Sequence, residues 1–306
     1  MTQETAPDLL AKLDQIPRLA LRPRTVEELP GGLTNHNLKI TNAEGRFVAR
    51  CSQSDSELLG IDRDHEHVNT RAAAEAGAGA PVLDYRPDLE ILVIGYLDGV
   101  TYDNESFQQP GVLLRVAEAM RRLHAGPVFA GDFDMFARQR GYLEIVQDRG
   151  FALPATYADY DDQFQQIHTA LEATPTSSVP CNNDLLAGNF VDDGDTLWLI
   201  DYEYAGNNDP CFELGNTATE CGLSDDQLAE LVTAYYGIAM THKIARARLQ
   251  RIVSQYGWAL WGYIQAATSP LDFDFGHWGD ERFEGAAREF ADPAFARLLD
   301  EVHRAD

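Results

Sequence analysis

The segment Cys181-Asn182-Asn183-Asp184-Leu185-Leu186-Ala187-Gly188-Asn189, followed closely by Leu199-Ile200-Asp201-Tyr202-Glu203, limits what this chain can fold into more than any other feature. Between them, Asn189-Phe190-Val191, the turn Asp192-Asp193-Gly194-Asp195 and Leu197 to Ile200 read as a β-hairpin, with Asp-Gly as its signal. The fold must therefore bring two carboxylates and one amide together from a loop and a strand end. Phosphoryl transfer needs such a set. Asp184 is placed to orient an acceptor hydroxyl and take its proton, while Asn189 and Asp201 hold Mg²⁺ on the phosphates of ATP. An Asp-Asn-Asp trio alone is common in an acidic chain. The fixed spacing and the ordered hairpin make this one specific.

The chain is acidic throughout: 24 Lys and Arg against 49 Asp and Glu in 306 residues, a formal net charge of −25. Only Lys12, Lys39 and Lys243 are lysine. Such a surface repels phosphate backbones and anionic lipid, which argues against nucleic-acid partners and membrane insertion. It favours small cations near the surface and also serves solubility, so charge alone does not select a substrate. No apolar run reaches the roughly 18 residues of a membrane span. The polar, acidic stretch Met1 to Asp14 lacks the pattern of a secretion signal. Cys51, Cys181, Cys211 and Cys221 show no close pairing, so the expectation is a reduced, cytoplasmic protein without structural zinc. Oligomeric state is left open.

Hydrophobic patterning divides the chain in two. Leu9, Leu10, Leu13 and Ile16 suggest a helix within residues 1–22. Strands follow at Leu38 to Thr41 and Arg46 to Cys51, then a helix over 64–76 capped by Asp62 or Asp64 and ended by Gly77, then strands Pro81 to Tyr85 and Ile91 to Leu97. Beyond Gly99 helices are expected at 111–124, 155–173, 225–242, 244–266 and 281–304. The fold class is therefore α+β, with a small antiparallel-sheet lobe carrying one long helix over 1–97 and a larger, mostly helical lobe over 98–306. The cleft between them is the natural ligand site. Arg50 ends a strand and Glu66 sits in the next helix, the arrangement in which a basic strand residue holds phosphate and a helix carboxylate holds the base. Gly31-Gly32-Leu33-Thr34-Asn35-His36-Asn37 has the glycines and polar groups of a phosphate loop, and also those of any polar hairpin.

Gly31 to Lys39, Ile61-Asp62-Arg63 with Glu66, the Cys181 to Asn189 loop, Asp201 to Gly206 and Asn208-Asp209-Pro210 together resemble the choline and ethanolamine kinases, from about residue 30 to 285. The resemblance implies a two-lobed, protein-kinase-like fold of the aminoglycoside-phosphotransferase type. It implies ATP contacts from Thr34, Asn35, His36, Asn37, Arg50 and Glu66, and an adenine-facing hinge at Gly95, Tyr96 and Leu97. It gives Asp184 the role of base, and Asn189 and Asp201 the metal. Two positions depart from the family pattern: Asn182 stands where His is usual, and Glu213 where Asp is common.

For the acceptor, the resemblance implies a choline cage of Tyr204, Glu220, Trp258, Trp261 and Trp278, with Glu203 beside it. A quaternary ammonium donates no hydrogen bond, so aromatic faces and a carboxylate must hold it. Trp258 and Trp261 are three apart on an expected helix and share a face, though tryptophans so spaced are also ordinary core residues. The expected reaction is the ATP-dependent phosphorylation of choline. Ethanolamine or an aminoglycoside as acceptor, and a non-catalytic nucleotide-binding relative, are the alternatives.

Overall fold

Residues 7–52 and 58–304 are described in the computed structural model, so residues 1–6 of the expected N-terminal helix lie outside the described residues. Five antiparallel strands form the first sheet in the order β1-β2-β3-β5-β4. They are β1 (Thr25–Leu29), β2 (Asn35–Asn42), β3 (Gly45–Ser52), β4 (Val82–Arg86) and β5 (Ile91–Gly95). Side-chain alternation gives this sheet two different faces. Leu38, Ile40, Phe47, Ala49, Ile91 and Val93 point one way and bury against Leu13, Ile16 and Leu19. Those three belong to α1 (Pro7–Leu13), to the residue before α2 and to α2 (Pro17–Ala20); the helix expected within residues 1–22, ending before Pro17 or soon after, ends at Leu13 and a second short one follows. Pro17 separates the two: it starts a helix readily but has no N–H with which to continue one. The other face carries Val48, Leu92 and Ile94, packed with Ala80, Val82 and Leu97. β1 was not expected from the sequence. It is an edge strand, and Glu27-Glu28 breaks its alternation.

α3 (Arg63–Glu75) joins β3 to β4. Asp62 Oδ1 accepts from the amides of Asp64 and His65, both at 3.0 Å, so of the two expected caps Asp62 is the one used.

The remainder is helical: α4 (Val112–His124), α5 (Met135–Arg149), α6 (Asp161–Ala173), α7 (Pro210–Glu220), α8 (Asp225–Tyr236), α9 (Thr241–Thr268), α10 (Phe275–Ala291) and α11 (Ala294–Glu301). The short strands β6 (Val100–Thr101), β8 (Phe190–Asp192) and β9 (Leu197–Leu199) form one ribbon, and β7 (Val179–Cys181) pairs with β10 (Gly206–Asn208). Helices α5 and α7 escaped the sequence reading. Every residue of α7 but Thr219 is buried, so it shows no amphipathic period. In α5, Gly141 and the charged residues blur the apolar stripe. The helix expected over 281–304 begins earlier, at Asp274 as N-cap, and Pro293 divides it into α10 and α11.

The long helix α9 organises this region, with α5, α7 and α10 packed around it. α9 and α10 meet at Gly262 and Gly279, where a Cβ on Gly262 would lie 2.8 Å from the Gly279 Cα. Only hydrogen on both permits this approach, and it sets Trp261 of α9 against Trp278 of α10. No helix among the described residues is long and apolar enough to cross a membrane.

Candidate active site

The Cys181–Asn189 loop is held in shape by its own amides. Asn183 has φ 69°, a left-handed conformation that Asn tolerates, and its Nδ2 donates to the carbonyls of Cys181, Tyr204 and Gly206 at 3.1–3.3 Å. Asn182 is fully buried. Its Nδ2 donates to the carbonyls of Ile200 and Asp201 at 3.1 and 2.7 Å, and its Oδ1 accepts from the Asp184 amide at 3.1 Å. The residue that departs from the family pattern thus makes three bonds and ties the two chemical segments together. Glu213 of α7 supports it from below. One carboxylate oxygen accepts from the Asn182 amide at 2.9 Å, and the other lies 2.6 Å from His124 Nε2.

Asp184 and Asn189 are joined through the backbone: Asn189 Nδ2 donates to the Asp184 carbonyl at 2.8 Å. That bond uses the amide nitrogen and leaves Oδ1 of Asn189 available, while Asp201 supplies a carboxylate from just beyond β9, at φ 65°. Hard oxygen donors of this kind suit Mg²⁺, so the residues present fit the ion. Burial of the Asp184 carboxyl, then the charges of Glu220, Glu203 and Asp201, push its pKa well above the ordinary carboxylate range, and Arg282 opposes the shift.

A network of alternating charge crosses from the sheet to this loop. Arg50 of β3 donates from Nε to Glu66 Oε1 at 3.1 Å and pairs closely with Asp201 through Nη2. Arg63 Nη1 bonds Glu66 at 2.7 Å and Glu203 at 3.2 Å. Glu203 in turn accepts from Thr34 Oγ1 at 2.7 Å and from Asn35 Nδ2 at 2.9 Å, which draws the glycine loop toward the helical region. Burial alone would weaken the charge on Arg50, but Asp201, Glu66 and Glu203 outweigh it and raise its pKa. Burial and the neighbouring Asp201 and Glu66 charges raise the pKa of Glu203, against the pull of Arg63 and Arg50.

Asn37 pairs with Arg50 across β2 and β3 and so shares the cleft face of the sheet. His36 does not. It lies on the same side as Leu38 and Ile40, exposed, with Nδ1 3.5 Å from Glu28. Its expected place in the phosphate loop is corrected by the pleat: β2 begins at Asn35, and successive side chains then point to opposite faces. At the hinge, Leu97 packs with Val48, Ala80, Leu92 and Ile94, while the Tyr96 ring is covered by Lys39 Nζ at 4.4 Å. The Gly95 amide donates to Pro81 at 2.9 Å.

Asp184, Asn189, Asp201, Glu203, Tyr204, Trp258, Trp261 and Trp278 line one cavity, closed at the sheet side by Gly31, Leu33 and Thr34. Trp261 Nε1 donates to the Tyr204 hydroxyl at 2.8 Å, and Trp258 Nε1 to Asn216 Oδ1 at 3.2 Å. Trp258 and Trp261 are 3% and 6% exposed, so they belong to the core and to the cavity wall at once. Glu220 is not in that wall. It is buried, and Arg282 holds it through Nη2 at 2.7 Å.

Two residues of consequence, Arg282 and Arg138, were given no role from the sequence, and Arg63 was named only within a motif of the family resemblance, although it precedes Glu66 by three residues on one helix. Arg282 follows Trp278 by four and stacks on it. Arg138 lies 5.3 Å from the Tyr204 ring, but it is carried by α5, which had no legible pattern.

A model of the choline/ethanolamine kinase family matches residues 26–244 of this chain. The crystal structure of a choline/ethanolamine kinase family protein from Mesorhizobium loti has a TM-score of 0.85 at 34% identity, covering 95% of this chain and 97% of that one. The choline kinase LicA from Streptococcus pneumoniae has the same fold, with a TM-score of 0.77 at 21% identity over 91% and 97% of the two chains. A probable ethanolamine kinase from Arabidopsis thaliana is 24% identical over 290 residues, 82% of this chain and 75% of that protein. Sheet, helical region and family match define a kinase-like phosphotransferase with an alcohol hydroxyl as acceptor. Within that class, the chain belongs to the choline/ethanolamine kinase family.

Proposed function

We propose that this protein transfers the γ-phosphate of ATP to the hydroxyl of choline, in the cytoplasm and with Mg²⁺. The observation that carries the reading is a shared cavity: the four rings of Tyr204, Trp258, Trp261 and Trp278 line the same space as Asp184, Asn189 and Asp201. Rings supply the faces that a quaternary ammonium needs, at roughly 0.5–2 kcal/mol each. They would set the choline hydroxyl toward Asp184.

Asp184 takes the hydroxyl proton as the new O–P bond forms and the bond from the γ-phosphorus to the leaving ADP oxygen breaks. Its raised pKa makes it a stronger base than an exposed carboxylate, provided it is ionised when the acceptor arrives. Asn189 and Asp201 would hold Mg²⁺, which supplies charge neutralisation on the phosphates. Arg50, fixed by Glu66, is the cation beside those phosphates, and releasing its contact with Asp201 frees it for them. Asn35 and Asn37 each keep a buried side-chain oxygen that no donor among the described residues reaches, at the edge of this region. The apolar patch of Val48, Leu92, Ile94 and Leu97 suits the adenine ring.

Ethanolamine is the second reading. It is favoured by the carboxylates Asp184 and Glu203 in the cavity, which accept hydrogen bonds that choline cannot donate. A coupled ADP-release assay with choline, ethanolamine and an aminoglycoside panel tests both. The expected order of kcat/KM is choline, then ethanolamine, then aminoglycosides. Turnover of aminoglycosides alone, or of no acceptor, would sink the proposal.

A further inference from the structure

Glu220 and Trp278 of the expected cage share one cationic partner, Arg282. The Glu220 side chain is 3% exposed, and Arg282 meets it with Nε 3.3 Å from Oε1 and Nη2 2.7 Å from Oε2. The same guanidinium lies 4.2 Å from the centre of the Trp278 ring. A buried carboxylate and an aromatic face are what an ammonium ligand seeks, and here one side chain uses both. The stacking follows from helix geometry, since Trp278 and Arg282 are four apart on α10 and so lie one turn above the other. The Arg282 side chain is 16% exposed against 3% for Glu220, so the guanidinium is the solvent-reaching member of the pair, and a change of its rotamer would release Glu220 without moving the helix.

We propose that Arg282 is an internal counter-cation of the acceptor site, and that it limits acceptor affinity by competing with the incoming ammonium for Glu220 and Trp278. This rests on reading the cavity as a site for an ammonium alcohol. The consequence for specificity is direct. A quaternary ammonium depends on ring faces and on unscreened negative charge, so Arg282 weakens it more than a primary ammonium, which also finds hydrogen bonds at Asp184 and Glu203. Arg282 is a specificity-determining residue in this sense.

Calorimetric titration of the full chain with tetramethylammonium, at fixed ionic strength and without nucleotide, tests the proposal in wild type, Arg282→Gln and Arg282→Lys. Arg282→Gln should bind roughly tenfold tighter than wild type, the size of one freed cation–π contact. Arg282→Lys, which keeps the charge, should bind like wild type. Because Arg282→Gln leaves Glu220 buried without a counter-ion, it is also melted with and without tetramethylammonium. The ligand should raise its melting temperature more than that of wild type, an effect that a merely structural arginine would not produce. Unchanged or weaker binding in Arg282→Gln, or no binding by either protein, overturns the proposal. Tighter binding in Arg282→Gln, together with no phosphorylation of choline by wild type, upholds Arg282 and rejects choline. Choline turnover without any gain in Arg282→Gln does the reverse.

Discussion

The side-chain amide of Asn182 donates to the Asp201 carbonyl at 2.7 Å, so one buried residue fixes the distance between the loop of the candidate base and the strand end of the candidate metal carboxylate. A second N–H of the same amide reaches Ile200, and its oxygen takes the Asp184 amide. Asn182→Asp keeps the shape but loses both donors and sets a carboxylate against two carbonyls. Leaving such buried groups unpaired costs about 1–3 kcal/mol. We expect Asn182→Asp to lower the unfolding free energy measured by urea titration by that amount and kcat at least tenfold. A variant as stable and active as wild type would show that the two segments hold their spacing without this link.

Asp201 pairs with Arg50 and also lines the cavity that Asn189 lines. Its removal should therefore have opposite effects on two forms of the nucleotide. Asp201→Ala is expected to weaken Mg·ATP at least tenfold, because a metal carboxylate is lost. Binding of ATP in EDTA should hold steady or tighten, because Arg50 is then free of its carboxylate partner. Titration of both forms decides; equal losses in both would mean that Asp201 serves the fold and not the ion.

The raised pKa of Asp184 has a consequence for stability that can be measured without metal or nucleotide. Between the ordinary aspartate range near 4 and its raised value, the folded state binds a proton that the unfolded state has released. The slope of stability with pH is then negative through that window. Asp184→Asn removes this contribution while keeping the size of the side chain. The variant should be more stable than wild type, by a margin that grows as pH rises from 5 to 8 in Mg²⁺-free denaturation. A margin that shrinks or changes sign over this range would reject the shift. Turnover of the same variant should fall more than a hundredfold.

A net charge of −25 on 306 residues sets the folded surface against itself. Salt at about 1 M shortens the screening length to roughly 3 Å and removes most of that repulsion. The melting temperature should rise by several degrees between 0.1 and 1 M KCl. The KM for a cationic acceptor should rise over the same range as steering is lost. A melting temperature that falls with salt would show that attractive ion pairs, such as those of Arg50 and Arg63, dominate the electrostatics instead.

Local pattern carried much of this protein. The Asp184, Asn189 and Asp201 spacing, the hairpin between them, the Asp62 cap and the alternation of β2, β3 and β5 are properties of near neighbours, and near neighbours are what a sequence displays. The phosphotransferase class and its family were legible for that reason. What failed was also local in origin. The charged, glycine-interrupted α5 and the fully buried α7 give no periodic signal, and the pleat that turns His36 away depends on where β2 begins.

Distant pairing was decided only in three dimensions. That Arg50 would touch Asp201 across 151 positions, that Glu203 would hold Thr34 and Asn35, and that Trp258, Trp261, Trp278 and Tyr204 would close one cavity are facts of packing. So is the pairing of Glu220, expected beside the acceptor, with Arg282. The sequence alone determined which chemical groups were present and how neighbouring ones were spaced. The crossing of α9 and α10 at Gly262 and Gly279, and the closing of the sheet over the loop, determined which groups meet, because burial and charge pairing act between residues that the chain itself keeps far apart.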